Sequence, residues 1–196
     1  MIDAGRLTKI IRSRWYIIVL AIVMPLISNL PKNISGGTAV TNPSSAQLLS
    51  YQNKADGYTF SYPASWDKRE EAPQTSVFFL TSAHASEIPA SLIVLKIKLD
   101  DPAMSLDAFS DGTLRQLKQD FPDLTVITTE KTQWAGQKGY RIVFNSTSPN
   151  KNLVKTVQVW TIHGKNVYIM GFGGSPESYE KYQTAGEKVM ASFRFL

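Results

Sequence analysis

Apolar and polar positions alternate along most of the chain after residue 57, and the period of that alternation changes three times. Residues 58–62 read as a short aromatic strand stopped by Pro63, and residues 76–82 and 91–99 read as longer strands. In the last of these Ile93, Leu95, Ile97 and Leu99 share one face and Lys96 and Lys98 the other, which predicts solvent contact near the strand's end. The spacing then becomes helical. Ser105 is a candidate N-cap, and Leu106, Phe109, Leu114, Leu117 and Phe121 form one apolar stripe closed by Pro122. Strand-like runs resume at 124–129, 139–145, 154–162 and 167–172, with His163-Gly164-Lys165-Asn166 as a tight turn between the last two. A second helix is predicted from Ser175, with Pro176 at its first position, Glu177 next, and Tyr179, Tyr182, Gly186, Val189, Met190 and Phe193 as its buried stripe. Strands joined mostly by short turns, plus two helices, predict an α+β fold in which helices flank an antiparallel sheet.

The first fifty residues follow different patterns. Residues 15–27 are an uncharged apolar run interrupted only by Pro25, preceded by Arg6, Lys9, Arg12 and Arg14 with Asp3 as the sole opposing charge. A basic flank before an apolar run is the order of an export signal or a membrane anchor, and the positive-inside rule would keep that flank in the cytoplasm while the rest crosses. The run is short for a helical span unless Ser28, Asn29 and Leu30 are counted, and small-residue cleavage candidates come only at residues 35–39. Cleaved signal and retained N-terminal hydrophobic helix both stay open. Residues 33–53 hold no charge and are rich in Ser, Thr, Asn, Gly and Pro, the composition of a flexible tether. The expected organisation is therefore 1–30 signal or anchor, 31–50 linker and 51–196 folded domain.

Composition narrows the chemistry. The chain has 196 residues, 43% of them hydrophobic, enough to bury a proper core. With no cysteine, thiol catalysis, disulfides and lipid attachment at a lipobox are excluded. Much of the formal charge of +5 sits in the N-terminal flank, which argues against nucleic acid as the partner. The Gly-rich stretch Gly171-Phe172-Gly173-Gly174-Ser175 lies between a strand and a helix, where phosphates are often cradled. It lacks the Gly-Lys-Ser/Thr ending, and Glu177 places a negative charge at the helix start, so a turn with an N-cap is the expected reading. His84 with Glu87, Asp100-Asp101, and Asp107 with Asp111 do not form a calcium loop or a dense metal site. His163 has no neighbouring carboxylate to orient it as a base. Lys68-Arg69-Glu70-Glu71 reads as a solvated loop. Trp160, inside an apolar strand, is expected in the core. Trp134, at Trp134-Ala135-Gly136, is expected to be exposed and is the candidate partner-contact residue.

Three stretches carry a resemblance. The segment Gly57-Tyr58-Thr59-Phe60-Ser61-Tyr62-Pro63-Ala64-Ser65-Trp66, the middle element Ala135-Gly136-Gln137-Lys138-Gly139-Tyr140-Arg141 and the closing region 157–195 together resemble PsbP-like domains, over residues 51–196. The resemblance implies a non-enzymatic extracytoplasmic or lumenal accessory protein that binds a membrane protein complex. In oxygenic phototrophs that complex is photosystem II, whose oxygen-evolving centre such domains support by helping to retain calcium and chloride. Any calcium dependence is implied by the resemblance alone. The chain departs from cyanobacterial members in lacking the lipobox cysteine. Two alternatives remain: a general membrane-tethered envelope interaction module, and an exported hydrolase, which would require a serine, a histidine and a carboxylate to meet in a cleft.

Overall fold

The computed structural model describes residues 47–69, 77–81, 88–148 and 151–196. The basic flank Arg6, Lys9, Arg12 and Arg14, the apolar run, most of the linker, and His84 and Glu87 lie outside the described residues. No described helix is long and apolar enough to cross a membrane.

Among the described residues, ten strands and two helices follow in the order β1 Leu48–Asn53, β2 Tyr58–Pro63, β3 Asp67–Arg69, β4 Val77–Leu80, β5 Ser91–Lys98, α1 Leu106–Asp120, β6 Thr125–Trp134, β7 Gln137–Thr147, β8 Leu153–His163, β9 Asn166–Gly174, α2 Pro176–Ser192 and β10 Arg194–Phe195. They build two antiparallel sheets rather than one. Seven strands pair in the order β3-β4-β5-β9-β8-β7-β6, and three pair in the order β1-β2-β10. The expected α+β class holds; the second sheet is the correction. Strands β3 and β10 are short, and β1, β3 and β10 all lie at sheet edges, so each is defined by the one strand it pairs with.

Helix α1 begins where Ser105 predicts, its hydroxyl accepting from the Ala108 amide at 3.1 Å, and the Phe121 amide donates back to the Leu117 carbonyl at its end. Its apolar stripe covers one face of the large sheet, packing Phe109 and Leu117 on Ile93, Leu95, Ile142, Phe144, Trp160, Val167 and Ile169. Helix α2 and the small sheet cover the opposite face, where Tyr58, Phe60, Phe193 and Met190 meet Val94, Val157, Val159, Met170 and Phe172. Strands β5, β8 and β9 are consequently buried on both sides, which is why they read as nearly continuous apolar runs. Lys96 lies only partly in solvent for the same reason.

The stretch at residues 171–175 is not a phosphate loop. Gly171, Gly173 and Gly174 belong to β9, and β-carbons on the last two would collide with neighbours: one on Gly174 would sit 2.9 Å from Ala90 Cα. The Ser175 hydroxyl fills the helix start by accepting from the Ser178 amide at 3.2 Å. Farther along α2, Gly186 lets the helix lie on the Phe172 ring, 2.8 Å from where a β-carbon would be.

Candidate functional site

Three turns meet at one end of the large sheet. The register of β7 with β8 and of β8 with β9 brings the β6–β7 turn beside the β8–β9 turn, and Lys98 at the end of β5 pairs opposite Asn166. The β1–β2 turn joins them from the small sheet. Asn53 shapes that turn: its side-chain Oδ1 accepts from the Asp56 backbone amide at 2.9 Å and its side-chain Nδ2 donates to the Asp56 carboxylate at 2.8 Å. Gly57 supplies the positive φ of 76° that closes it. The Tyr168 hydroxyl then donates to the Asp56 carbonyl at 2.8 Å, and Lys96 pairs with the Asp56 carboxylate at 3.3 Å, fastening the turn to β5 and β9.

Rings fill the space behind these turns. Phe195 on β10 stacks on His163 with centroids 4.0 Å apart and meets Tyr168 edge-on at 5.0 Å. The neighbouring Leu196 is 59% exposed, its amide donating to the Gly57 carbonyl. Around this apolar tip stand Lys54, Lys98, Lys165 and Arg194, all exposed, with Lys96 half-buried behind them. Asp56 is already paired with Lys96, while Asp100 and Asp101 follow Lys98 in the loop toward α1; the Asp101 carboxylate accepts from the Ala103 amide. The arrangement suits docking to an anionic surface. It was missed in the sequence because its cations come from four separate segments and become neighbours only through strand register.

Trp134 is the main correction. It is 6% exposed, stacks on Phe193 at 4.5 Å and donates its indole N–H to the Met190 carbonyl at 2.8 Å. Ala135 and Gly136, with φ of 51° and 74°, form the two-residue turn, so Trp134 is the last strand residue rather than a turn residue. Gly139, diagonal to it on β7 and opposite Thr132, leaves room for it, the Trp134 Cβ being 3.3 Å from where a β-carbon would stand. Trp160 lies in the core as expected, fully buried, with its indole N–H on the Ser110 hydroxyl at 2.9 Å.

The other candidates take structural places. His163 is exposed and packed on Phe195, and among the described residues no hydrogen bond joins it to a serine or a carboxylate. Asp107 pairs with Lys131 at 2.9 Å, and that contact raises the lysine's pKa, chiefly through the hydrogen bond. Lys68 belongs to β3 and lies over the Tyr51 ring rather than in a free loop. Burial, and secondarily Glu187, raises the pKa of the Tyr179 phenol. Among the described residues no three His, Asp or Glu side chains converge. Among the described residues, Ser146 Oγ and Gln158 Nε2 are buried without a partner.

A seven-stranded antiparallel sheet covered by one helix on one face, and by a helix and a small sheet on the other, defines an α+β domain whose distinctive surface is a cation-bearing end. The PsbP family model matches residues 46–195, and the chain belongs to the PsbP family. Its fold is similar to that of cyanobacterial PsbP (CyanoP) from Synechocystis, with a TM-score of 0.59 and 18% identity over 84% of this chain and 98% of that one. A Pseudomonas aeruginosa protein of unknown function gives a TM-score of 0.55 at 11% identity, covering 75% of this chain and 96% of that one. LpqN, involved in cell envelope biogenesis of Mycobacterium tuberculosis, gives 0.54 at 14% identity, covering 76% and 90%. No curated protein matches the sequence.

Proposed function

We propose that the protein is a non-enzymatic, extracytoplasmic accessory module that docks on a membrane protein complex, with photosystem II as the most concrete such complex. The observation that carries this reading is the PsbP family match across 46–195, which spans both sheets and both helices. The similarity to CyanoP supports the photosystem version. The exposed lysines of the turn-bearing end supply a surface for association rather than a cleft for a substrate, and His163 stands apart from any nucleophile-and-carboxylate arrangement. The N-terminal basic flank and apolar run, as a signal or an anchor, would deliver the domain to the outer side of the membrane.

The test is affinity capture of the tagged full-length protein from its own membranes, followed by mass spectrometry. Photosystem II subunits among the captured proteins are the expected result. The similarity to LpqN favours a second reading, a cell-envelope interaction module unrelated to photosynthesis. Capture of envelope proteins without any photosystem subunit would select it. Calcium binding by this chain, which the family resemblance alone implies, is tested by equilibrium dialysis of the full chain against calcium, where no excess calcium on the protein side would remove it.

A further inference from the structure

We infer that the turn-bearing end of the domain is a docking surface for an anionic lipid bilayer. The inference rests on the membrane-side placement proposed above and goes further by naming the surface that is engaged. Lys54 in the β1–β2 turn, Lys98 at the end of β5, Lys165 in the β8–β9 turn and Arg194 on β10 are exposed around a tip made by Leu196, the half-buried Phe195 and the exposed His163 ring. The collar is mostly lysine, and its members sit on four different segments instead of lining one pocket. Lysine is a mobile point charge without the fixed fork by which arginine grips a single carboxylate or phosphate. Arg194, the one arginine, has its guanidinium committed to the Ala191 and Phe193 carbonyls at 2.7 and 2.6 Å. Dispersed lysines around an apolar tip match a diffuse negative surface into whose headgroup layer a small apolar tip can settle. An acidic protein patch would satisfy the charges but leave the tip without a counterpart.

Strand β1 starts at Leu48, paired with Pro63 at the far end of the β1–β2 hairpin from the three turns. The turn-bearing end is therefore not the end where the preceding segment joins. Asp100 and Asp101 are the nearby acidic side chains outside the Asp56–Lys96 pair, and they lie in the loop toward α1, beyond Lys98.

Because the chain has no cysteine, single reporters can be placed cleanly on the full-length protein. Ala55→Cys puts an environment-sensitive dye in the exposed β1–β2 turn, and Asn152→Cys puts one on the exposed β7–β8 turn at the opposite end. Each is mixed with protein-free vesicles of phosphatidylcholine alone or of phosphatidylcholine with phosphatidylglycerol, at low and high salt. The expected result is a blue shift at position 55 only, on phosphatidylglycerol vesicles only, abolished by salt. Each cation removed should weaken this partitioning about fivefold, so Lys54→Gln, Lys98→Gln and Lys165→Gln combined should weaken it about a hundredfold while circular dichroism stays unchanged. Equal shifts at both positions, shifts indifferent to lipid charge, or no shift at all would overturn the inference. The absence of a shift on vesicles together with capture of a membrane complex would leave the accessory reading intact and assign the lysines to an acidic protein. The presence of a shift with no complex captured would do the reverse.

Discussion

The two faces of the large sheet are built in opposite ways. One is covered by α1, a single continuous segment, and its core is aliphatic apart from Trp160, Phe109 and Phe144. The other is covered by pieces from both ends of the described chain, β1 and β2 from residues 48–63 and α2 with β10 from 176–195, and is crowded with rings. Tyr58, Phe60 and Phe193 stack there, with Trp134 on Phe193 and Trp66 on Phe172. A face closed by one helix depends on that helix's own stripe and caps. A face closed by distant segments needs large flat side chains that bury much area per residue, because each segment is too short to hold its place alone.

The largest effects expected from this contrast come from truncating one ring on each face. Trp160→Ala and Phe193→Ala should each cost about 3–5 kcal/mol, measured by denaturant unfolding. Their local consequences should differ. Hydrogen exchange should show Trp160→Ala loosening α1, and Phe193→Ala freeing β1, β2 and β10 together; the same pattern for both would mean that the two faces are not separate units. Gly186→Val drives a side chain into the Phe172 ring and should destabilise by about 1–3 kcal/mol, with α2 lifted from the sheet in its exchange profile. Trp134→Phe keeps most of the ring stack and removes the donor to the Met190 carbonyl, a loss of about 1 kcal/mol; no change in thermal stability would show that the bond contributes nothing net. Gln158→Met replaces a fully packed amide whose nitrogen has no partner and should raise stability by about 1 kcal/mol, readable as an increase in Tm. A decrease would mean that the amide is satisfied in solution.

The places where local pattern foretold the structure have a common cause. Helix α1, its cap at Ser105 and the hairpin through His163-Gly164-Lys165-Asn166 are set by contacts a few residues apart, and all three appear where expected. Helix α2 begins at the Ser175 cap with Pro176 first, and Tyr179, Gly186, Val189, Met190 and Phe193 are all buried. Strand β6 runs on to Trp134, well past the expected end at residue 129. Its second half, Glu130-Lys131-Thr132-Gln133, is mostly exposed on an edge strand, so no burial pattern marks it as strand. Lys68, read as part of a solvated loop, is held in β3 by pairing with Phe79. Neither had a signal in the sequence, because edge strands are recognised by their neighbour and not by their own alternation.

Periodicity, caps and turn residues were enough to place both described helices and most of strands β4 to β9, since those features report free energies that act within one turn or one hairpin. Separately, the motifs at residues 57–66, 135–141 and 157–195 carried the resemblance from which the family was expected. Only the folded molecule could divide the strands into two sheets, bury Trp134 against a helix whose Met190 carbonyl lies 56 positions away in sequence, and gather Lys54, Lys98, Lys165 and Arg194 around Leu196. Those outcomes are fixed by strand register and by packing between segments that meet only when the chain closes. The loop-closure entropy that opposes such meetings, and the aromatic burial that offsets it, leave no periodic trace in the residues themselves.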